Sequence, residues 1–131
     1  MKILLDTQIF LWALTAPARL GQNAQSLLRR KENQLYLSAA SSWEISIKAG
    51  LVKLPLPEPP DAYVSSRMAN LNILPLAIKH HHTFGVYNLP LHHRDPFDRI
   101  LIAQAMAEGL QIMSADRQFK RYEVDLIWGE D

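Results

Sequence analysis

The feature that most restricts what this chain can become is an alternation. Short apolar runs at Lys2–Leu5, Leu35–Ser38, Ile73–Leu76, Leu110–Met113 and Leu126–Trp128 are separated by segments whose apolar residues recur at helical spacing. Runs this short suit strands buried on both faces. Parallel neighbours need long crossover connections, and these are almost always helical. The alternation therefore predicts an α/β fold, a three-layer α/β/α sandwich with a central parallel sheet of about five strands. With 131 residues, 48% of them hydrophobic, the chain can bury one such core, so residues 1–131 read as a single domain.

The connecting segments carry their own signals. Ile9, Leu11, Trp12 and Leu14 crowd a first helix, and Ala24, Leu27 and Leu28 mark a second after a break at Gly21. A third helix is expected from Trp43 to Gly50, with Trp43 and Ile47 four apart on its apolar side, Glu44 and Lys48 opposite, and Gly50 as its stop. The stretch from Leu54 to Pro60 holds four prolines and must be a loop, because proline donates no backbone hydrogen bond. Helical spacing resumes at Ala62, Tyr63 and Met68, so this loop is a connection within the domain. Asp95-Pro96 reads as an N-cap and first helical position, and a short helix is expected over Arg117–Lys120.

Composition removes several classes of function. There is no cysteine, hence no disulfide framework, no thiolate zinc site and no cysteine nucleophile. A formal net charge of +1 does not suggest a protein that wraps long stretches of nucleic acid. The opening Met-Lys-Ile-Leu-Leu-Asp is too short an apolar run for a signal peptide, and no run approaches the roughly 18 apolar residues of a membrane span. A cytoplasmic protein that avoids membranes is the expectation.

Chemistry is suggested by four acids. Asp6 directly follows the first strand, Glu44 lies in the helix after the second, Asp98 lies just inside the helix beginning near Pro96, and Asp116 follows the fourth run. All four fall at the carboxyl edge of the expected sheet, where open parallel sheets bind their ligands. Carboxylates gathered in a partly desolvated cleft repel one another and take up protons unless a cation compensates. An all-oxygen donor set favours Mg²⁺ or Mn²⁺ over zinc. Singly, each acid also has a structural reading: Asp6 and Asp116 as helix caps, Ser41-x-x-Glu44 as a capping box, Glu44 with Lys48 as a surface ion pair, and Asp98 as a favourable charge at a helix start.

Five histidines and several bases complete the polar inventory. Consecutive His80, His81 and His82 cannot all point at one ion, so a solvated helix face is expected there. His92 and His93 precede Arg94 and Asp95 and are candidates for phosphate or ribose contacts. Lys48, Arg94, Arg99, Arg117, Lys120 and Arg121 could lead a polyanion towards the acids, with Lys48 and Arg99 preferred because they share motifs with Glu44 and Asp98.

Taken together, these residues resemble the PIN-domain ribonucleases, in particular the VapC-type toxins of bacterial toxin–antitoxin pairs. The resemblance covers nearly the whole chain and rests on Leu4-Leu5-Asp6-Thr7 with Leu11-Trp12 close behind, Ser41 to Lys48, Leu89 to Arg99, Ile102-Ala103-Gln104-Ala105 and Ser114-Ala115-Asp116. It implies that Asp6, Glu44, Asp98 and Asp116 hold the metal, with hydroxyls of Thr7 and Ser114 in support. Gln8 departs from the histidine, asparagine or serine frequent in such toxins after the Asp-Thr pair. The implied reaction is metal-assisted hydrolysis of an RNA phosphodiester, needing no protein nucleophile. Implied partners are RNA, a second copy in a homodimer, and an antitoxin whose peptide covers the site. Trp12, Trp43 and Phe97 could serve that interface, although core packing is the default for such side chains. Two other classes stand beside this one: a magnesium-dependent phosphotransfer or receiver domain, and a catalytically silent PIN-like module that binds RNA or protein.

Overall fold

Strands form where the apolar runs predict them. The structure, a computed structural model describing residues 1–131, contains β1 (Lys2–Leu5), β2 (Gln34–Ser38), β3 (Ile73–Leu76), β4 (Gln111–Ser114) and β5 (Leu126–Trp128) in one sheet of order β3-β2-β1-β4-β5. Every pairing is parallel, with Leu5 opposite Leu37 on one side and Met113 on the other. Six helices connect them: α1 (Thr7–Thr15), α2 (Gln22–Arg29), α3 (Ala39–Gly50), α4 (Pro60–Asn70), α5 (His80–Gly85) and α6 (Pro96–Glu108). Short 3₁₀ turns occupy Pro17–Arg19, Val86–Asn88 and Arg117–Arg121. Pro75 is tolerated inside β3 because that strand lies at the sheet's edge.

Successive side chains on a strand face opposite ways, so a central strand must feed two cores. Ile3 and Leu5 of β1 join Ile9, Phe10, Ala24, Leu27, Tyr63 and Val64 on the face covered by α1, α2 and α4. Leu4, between them, joins Leu101, Ile102 and Ala105 of α6 on the other. α5 packs on α6, completing the expected three layers.

Three local expectations need correction. The third helix begins at Ala39 rather than near Trp43, with Ser38 as its cap, so Ser41 lies inside the helix and the capping box with Glu44 does not form. Its buried residues are Ala40, Ser41 and Ile45, while Trp43 and Ile47 face outward; small residues let the helix lie close, and Ile45 alone fills the space. The helix does end at Gly50, as expected, and the left-handed residue of the turn that follows is Val52, with φ 57°. β4 starts one residue later than expected because α6 ends on left-handed Gly109, and Leu110 donates back to the Ala105 carbonyl.

The sheet order also decides between two of the functional classes. Receiver-type doubly wound sheets follow the order 2-1-3-4-5. This sheet follows 3-2-1-4-5, so the receiver reading is withdrawn. From β1 the chain builds outward through β2 to β3, then crosses to β4 on β1's other side. The crevice outside the carboxyl ends of β1 and β4 is therefore the topological switch point, and Asp6 and Ser114 stand there.

Candidate metal centre

Asp6 follows the last residue of β1, and its backbone N–H still pairs with the Met113 carbonyl at 3.1 Å, extending the β1–β4 ladder by one bond. In extended conformation at the N-cap of α1, it accepts the Ile9 N–H on Oδ1 at 2.7 Å. Its Oδ2 accepts a short hydrogen bond from the fully buried Ser114 hydroxyl. The same hydroxyl accepts the Asp116 N–H at 3.0 Å, so one serine fixes two acids. Gly129 makes room here: a Cβ on it would lie 2.5 Å from Ile9 Cδ1, and its N–H donates to the Ser114 carbonyl at 2.8 Å.

Asp98 enters from α6, which Asp95 caps by accepting the N–H groups of Phe97 and Asp98 at 2.9 and 3.1 Å, with Pro96 at the first position. Asp116 caps the turn Arg117–Arg121 through its Oδ1, at 2.9 Å from the Gln118 nitrogen. Glu44 reaches in from α3 and accepts from Lys48 Nζ at 2.8 Å. Thr7 acts at one remove. Its hydroxyl donates to the Ser41 hydroxyl at 2.9 Å, tying α1 to α3 one turn before Glu44.

These elements bring the acids together. Asp6, Glu44, Asp95, Asp98 and Asp116 line one open cavity of about 290 Å³ with Thr7, Gln8, Leu11, Trp12, Ala115 and a single base, Lys48. The cap roles are real for Asp6, Asp95 and Asp116, yet they leave oxygens over. The hydrogen bonds of Glu44, Asp98 and Asp116 each engage one carboxylate oxygen and leave the other to the cavity.

The electrostatic consequence is visible in two groups. Burial pushes the Asp6 carboxyl up to about 6, against the pull of hydrogen bonds from Ser114 and Ile9, with the charges of Asp116 and Glu44 adding to the rise. Burial pushes Asp98 up to about 8, helped by the negative charges of Asp95, Asp116, Asp6 and Glu44. Such a pocket suits a hard divalent cation, because unengaged carboxylate oxygens are its preferred donors and its charge removes the repulsion.

A second grouping of ligand-type atoms lies at the other end of α6, where His81, His82 and Glu108 meet. The sequence suggested a solvated face, but His82 is fully buried. Its Nδ1 accepts the Lys79 N–H at 3.0 Å and has the Gln104 amide nitrogen 3.5 Å away. Surrounded by donors, Nδ1 carries no proton, so Nε2–H donates to Glu108 Oε2 at 2.8 Å. A neutral histidine binds metal through the nitrogen that lacks a proton, and here that nitrogen already faces the backbone. The group is a clasp between α5 and α6. Hydrogen bonds from His82 and His81 hold Glu108 below the usual carboxylate range.

The basic candidates divide. Lys48 lines the cavity, and Arg94 and Arg117 are exposed outside it. Arg99 must be removed from the contact residues: it is buried, and its guanidinium donates to the Pro90 carbonyl at 2.8 Å, the Tyr122 hydroxyl at 3.0 Å and the carbonyls of Val86 and Leu89. His93 is engaged on both ring nitrogens, by Tyr122 and Asp98. Sequence reasoning missed Tyr122, which carries no motif of its own, and read Ser41 as a cap where it is the partner of Thr7. Of the three aromatic candidates for an interface, Trp43 is 59% exposed and rests edge-on against Phe97, and Trp12 faces the cavity.

A PIN domain family model matches residues 3–125, which include all four of these acids. The chain belongs to the PIN domain family. Within this PIN domain, a stretch of 59 residues is 44% identical to Ribonuclease VapC16 of Mycobacterium tuberculosis, covering 45% of the chain. That match spans 42% of the relative's own length. The fold recurs in VapBC2 of Rickettsia felis bound to a promoter DNA fragment, with TM-score 0.76, 20% identity and coverage of 99% of this chain and 100% of that one. It recurs again in VapBC-1 of nontypeable Haemophilus influenzae, with TM-score 0.65, 16% identity and coverage of 99% and 98%. No helix of this PIN domain is long and apolar enough to cross a membrane.

Proposed function

We propose that this PIN domain is a divalent-metal-dependent ribonuclease and the toxin of a toxin–antitoxin pair. One observation carries the reading: Asp6, Glu44, Asp98 and Asp116, drawn from four separate segments, line a single cavity at the sheet's switch point. The named relative is a ribonuclease, and the two structural neighbours are VapBC assemblies. Both facts support the same class of activity.

Magnesium or manganese would be held by the four acids, with Ser114 fixing Asp6 and Asp116, and Asp95 fixing the helix that carries Asp98. Bound there, the ion supplies Lewis-acid activation of water and of the scissile phosphodiester. The chain's own part is orientation. Asp6 is held by two donors and cannot rotate, and Glu44 is placed by α3, whose position the Thr7–Ser41 bond secures. Lys48 offers a positive charge at the cavity wall. A second cleft sharing Gln8, Leu11, Trp12 and Lys48 with the first continues past Arg19 and Lys53, with the Arg19 guanidinium 4.2 Å over the Trp12 ring. Basic and aromatic groups so placed fit a single-stranded polyanion lying alongside the acids. Arg94 and Arg117 extend the positive charge outside the cavity.

The deciding experiment is cleavage of RNA by the purified chain with Mg²⁺ or Mn²⁺, then with EDTA. Cleavage that requires the ion supports the reading. Cleavage unaffected by chelation contradicts it, and no cleavage with either ion, in a protein shown to be folded, favours a silent binding module. Size-exclusion chromatography of the tagged chain purified from its own cells, with mass spectrometry of what co-elutes, tests the antitoxin and the homodimer together.

A further inference from the structure

Beside the acids runs a chain of hydrogen bonds whose direction is fixed at one end. Arg99 Nη1 lies 3.0 Å from the Tyr122 hydroxyl, and a guanidinium can only donate. The hydroxyl therefore accepts from Arg99, and its own proton is free to go to the remaining partner, His93 Nδ1, at 2.7 Å. An Nδ1 that accepts leaves the ring's proton on Nε2, which lies 3.1 Å from Asp98 Oδ2. The order is Arg99 to Tyr122 to His93 to Asp98, each step donating to the next.

The chain is built for rigidity. Arg99 and Tyr122 are buried, and the His93 side chain is 12% exposed. Carbonyls of Pro90, Leu89 and Val86 hold the rest of the guanidinium, and the His92 ring packs edge-on against Tyr122 with centroids 4.9 Å apart. Arg121 donates to the His92 carbonyl at 2.7 Å, fastening the loop from the far side. Nothing comparable reaches Glu44, whose one side-chain partner is the half-exposed Lys48.

We propose that His93, locked by Tyr122 and Arg99 as the Nε2–H tautomer, is a positioning residue that holds Asp98 in one rotamer and turns its Oδ1 towards the divalent ion. The inference rests on the reading of Asp98 as a metal-holding carboxylate. Outer partners of metal ligands typically change affinity about 10- to 100-fold when removed. Glutamine places an amide nitrogen and oxygen in the same 1,3 relation as the two ring nitrogens, so it can keep both bonds.

The test measures Mn²⁺ affinity of the full chain by electron paramagnetic resonance, without RNA, alongside thermal midpoints. Wild type should bind Mn²⁺. His93→Ala should weaken binding by about 10-fold or more, His93→Gln should recover most of the loss, and Tyr122→Phe should fall between them with its fold intact. Nitrogen-15 NMR of the imidazole should show His93 as the neutral ring protonated on Nε2. Equal affinity in wild type, His93→Ala and Tyr122→Phe overturns the positioning role while leaving the metal centre standing. Absence of Mn²⁺ binding in the wild type overturns the metal centre and this role with it. A loss in thermal midpoint with unchanged affinity assigns the chain to loop packing alone.

Discussion

The two ends of α6 carry two clusters of ligand-type side chains, and they differ in what their lone pairs are doing. At the C-terminal end, His81, His82 and Glu108 come within 4.8 Å of one another, yet every potential ligand of His82 already has a partner of the right kind. At the N-terminal end the acids are more loosely spread around a 290 Å³ cavity, and three of them keep an unengaged oxygen. Proximity alone would select the C-terminal cluster. What distinguishes a binding site from a clasp is unsatisfied acceptor capacity together with repulsion that only a cation relieves.

Replacing Asp6 with asparagine should do most to break this contrast. The change removes one ligand charge and keeps the shape, so metal-dependent RNA cleavage should fall by more than the roughly 100-fold that loss of an outer partner costs. Circular dichroism should show a native fold. Cleavage at the wild-type rate would make Asp6 a cap and nothing more.

Stability against pH should show the next largest effect. Asp6 and Asp98 bind protons more tightly in the folded chain, near 6 and 8, than an ordinary aspartate does at 3.8. The metal-free fold therefore loses stability as pH rises from about 4 through 8, because the unfolded chain ionises first. Divalent ion should raise the thermal midpoint much more at about pH 8 than at about pH 5. An equal increment at both would show that the acids do not share the ion.

At the clasp the expected pattern is inverted. His82→Ala leaves the Lys79 N–H without a partner and Glu108 with His81 alone, and should destabilise the fold by about 1–3 kcal/mol, with RNA cleavage per folded molecule unchanged. Any rise in thermal midpoint on adding Zn²⁺ should be the same in the wild type and in His81→Ala, and a rise lost in that variant would make the clasp a metal site. Glu108 works with the opposite sign to the acids: its lowered value contributes stability above the ordinary glutamate range, lost as pH falls through it.

The smallest effect belongs to Lys48→Ala. Its ion pair with Glu44 joins a half-exposed base to a neighbour four residues back, so stability should change by no more than about 0.5 kcal/mol. Binding of a non-cleavable single-stranded RNA should become less dependent on salt, by about one charge in the slope. An unchanged slope would place the RNA elsewhere.

Much of this was legible in the residues. Apolar runs bounded by polar punctuation marked the five strands, and Asp95-Pro96 marked the start of α6, because caps and strand burial are local patterns. The acids could be placed at one edge since Asp6 and Asp116 come just after strands, Asp98 lies in the first turn of α6, and Glu44 lies in the helix that follows β2. Less legible was which face of a helix turns inward: Trp43 and Ile47 have the spacing of a buried stripe, yet α3 packs through Ala40, Ser41 and Ile45. Arg99 and His93 looked like surface bases beside the acids, and only their three-dimensional neighbours show that both are internal.

The amino-acid order by itself determined the alternation of strand and helix, the caps, and the edge at which the four acids meet, since these depend on periodicity and on residues next to one another in the chain. Tertiary structure alone decided which lone pairs remain open: His93 beside Asp98, Tyr122 beside Arg99 and Glu108 beside His82 lie 5, 23 and 26 positions away in the chain. A hydrogen bond is made in space, and one donor already engaged removes an atom from chemistry that its residue type would allow.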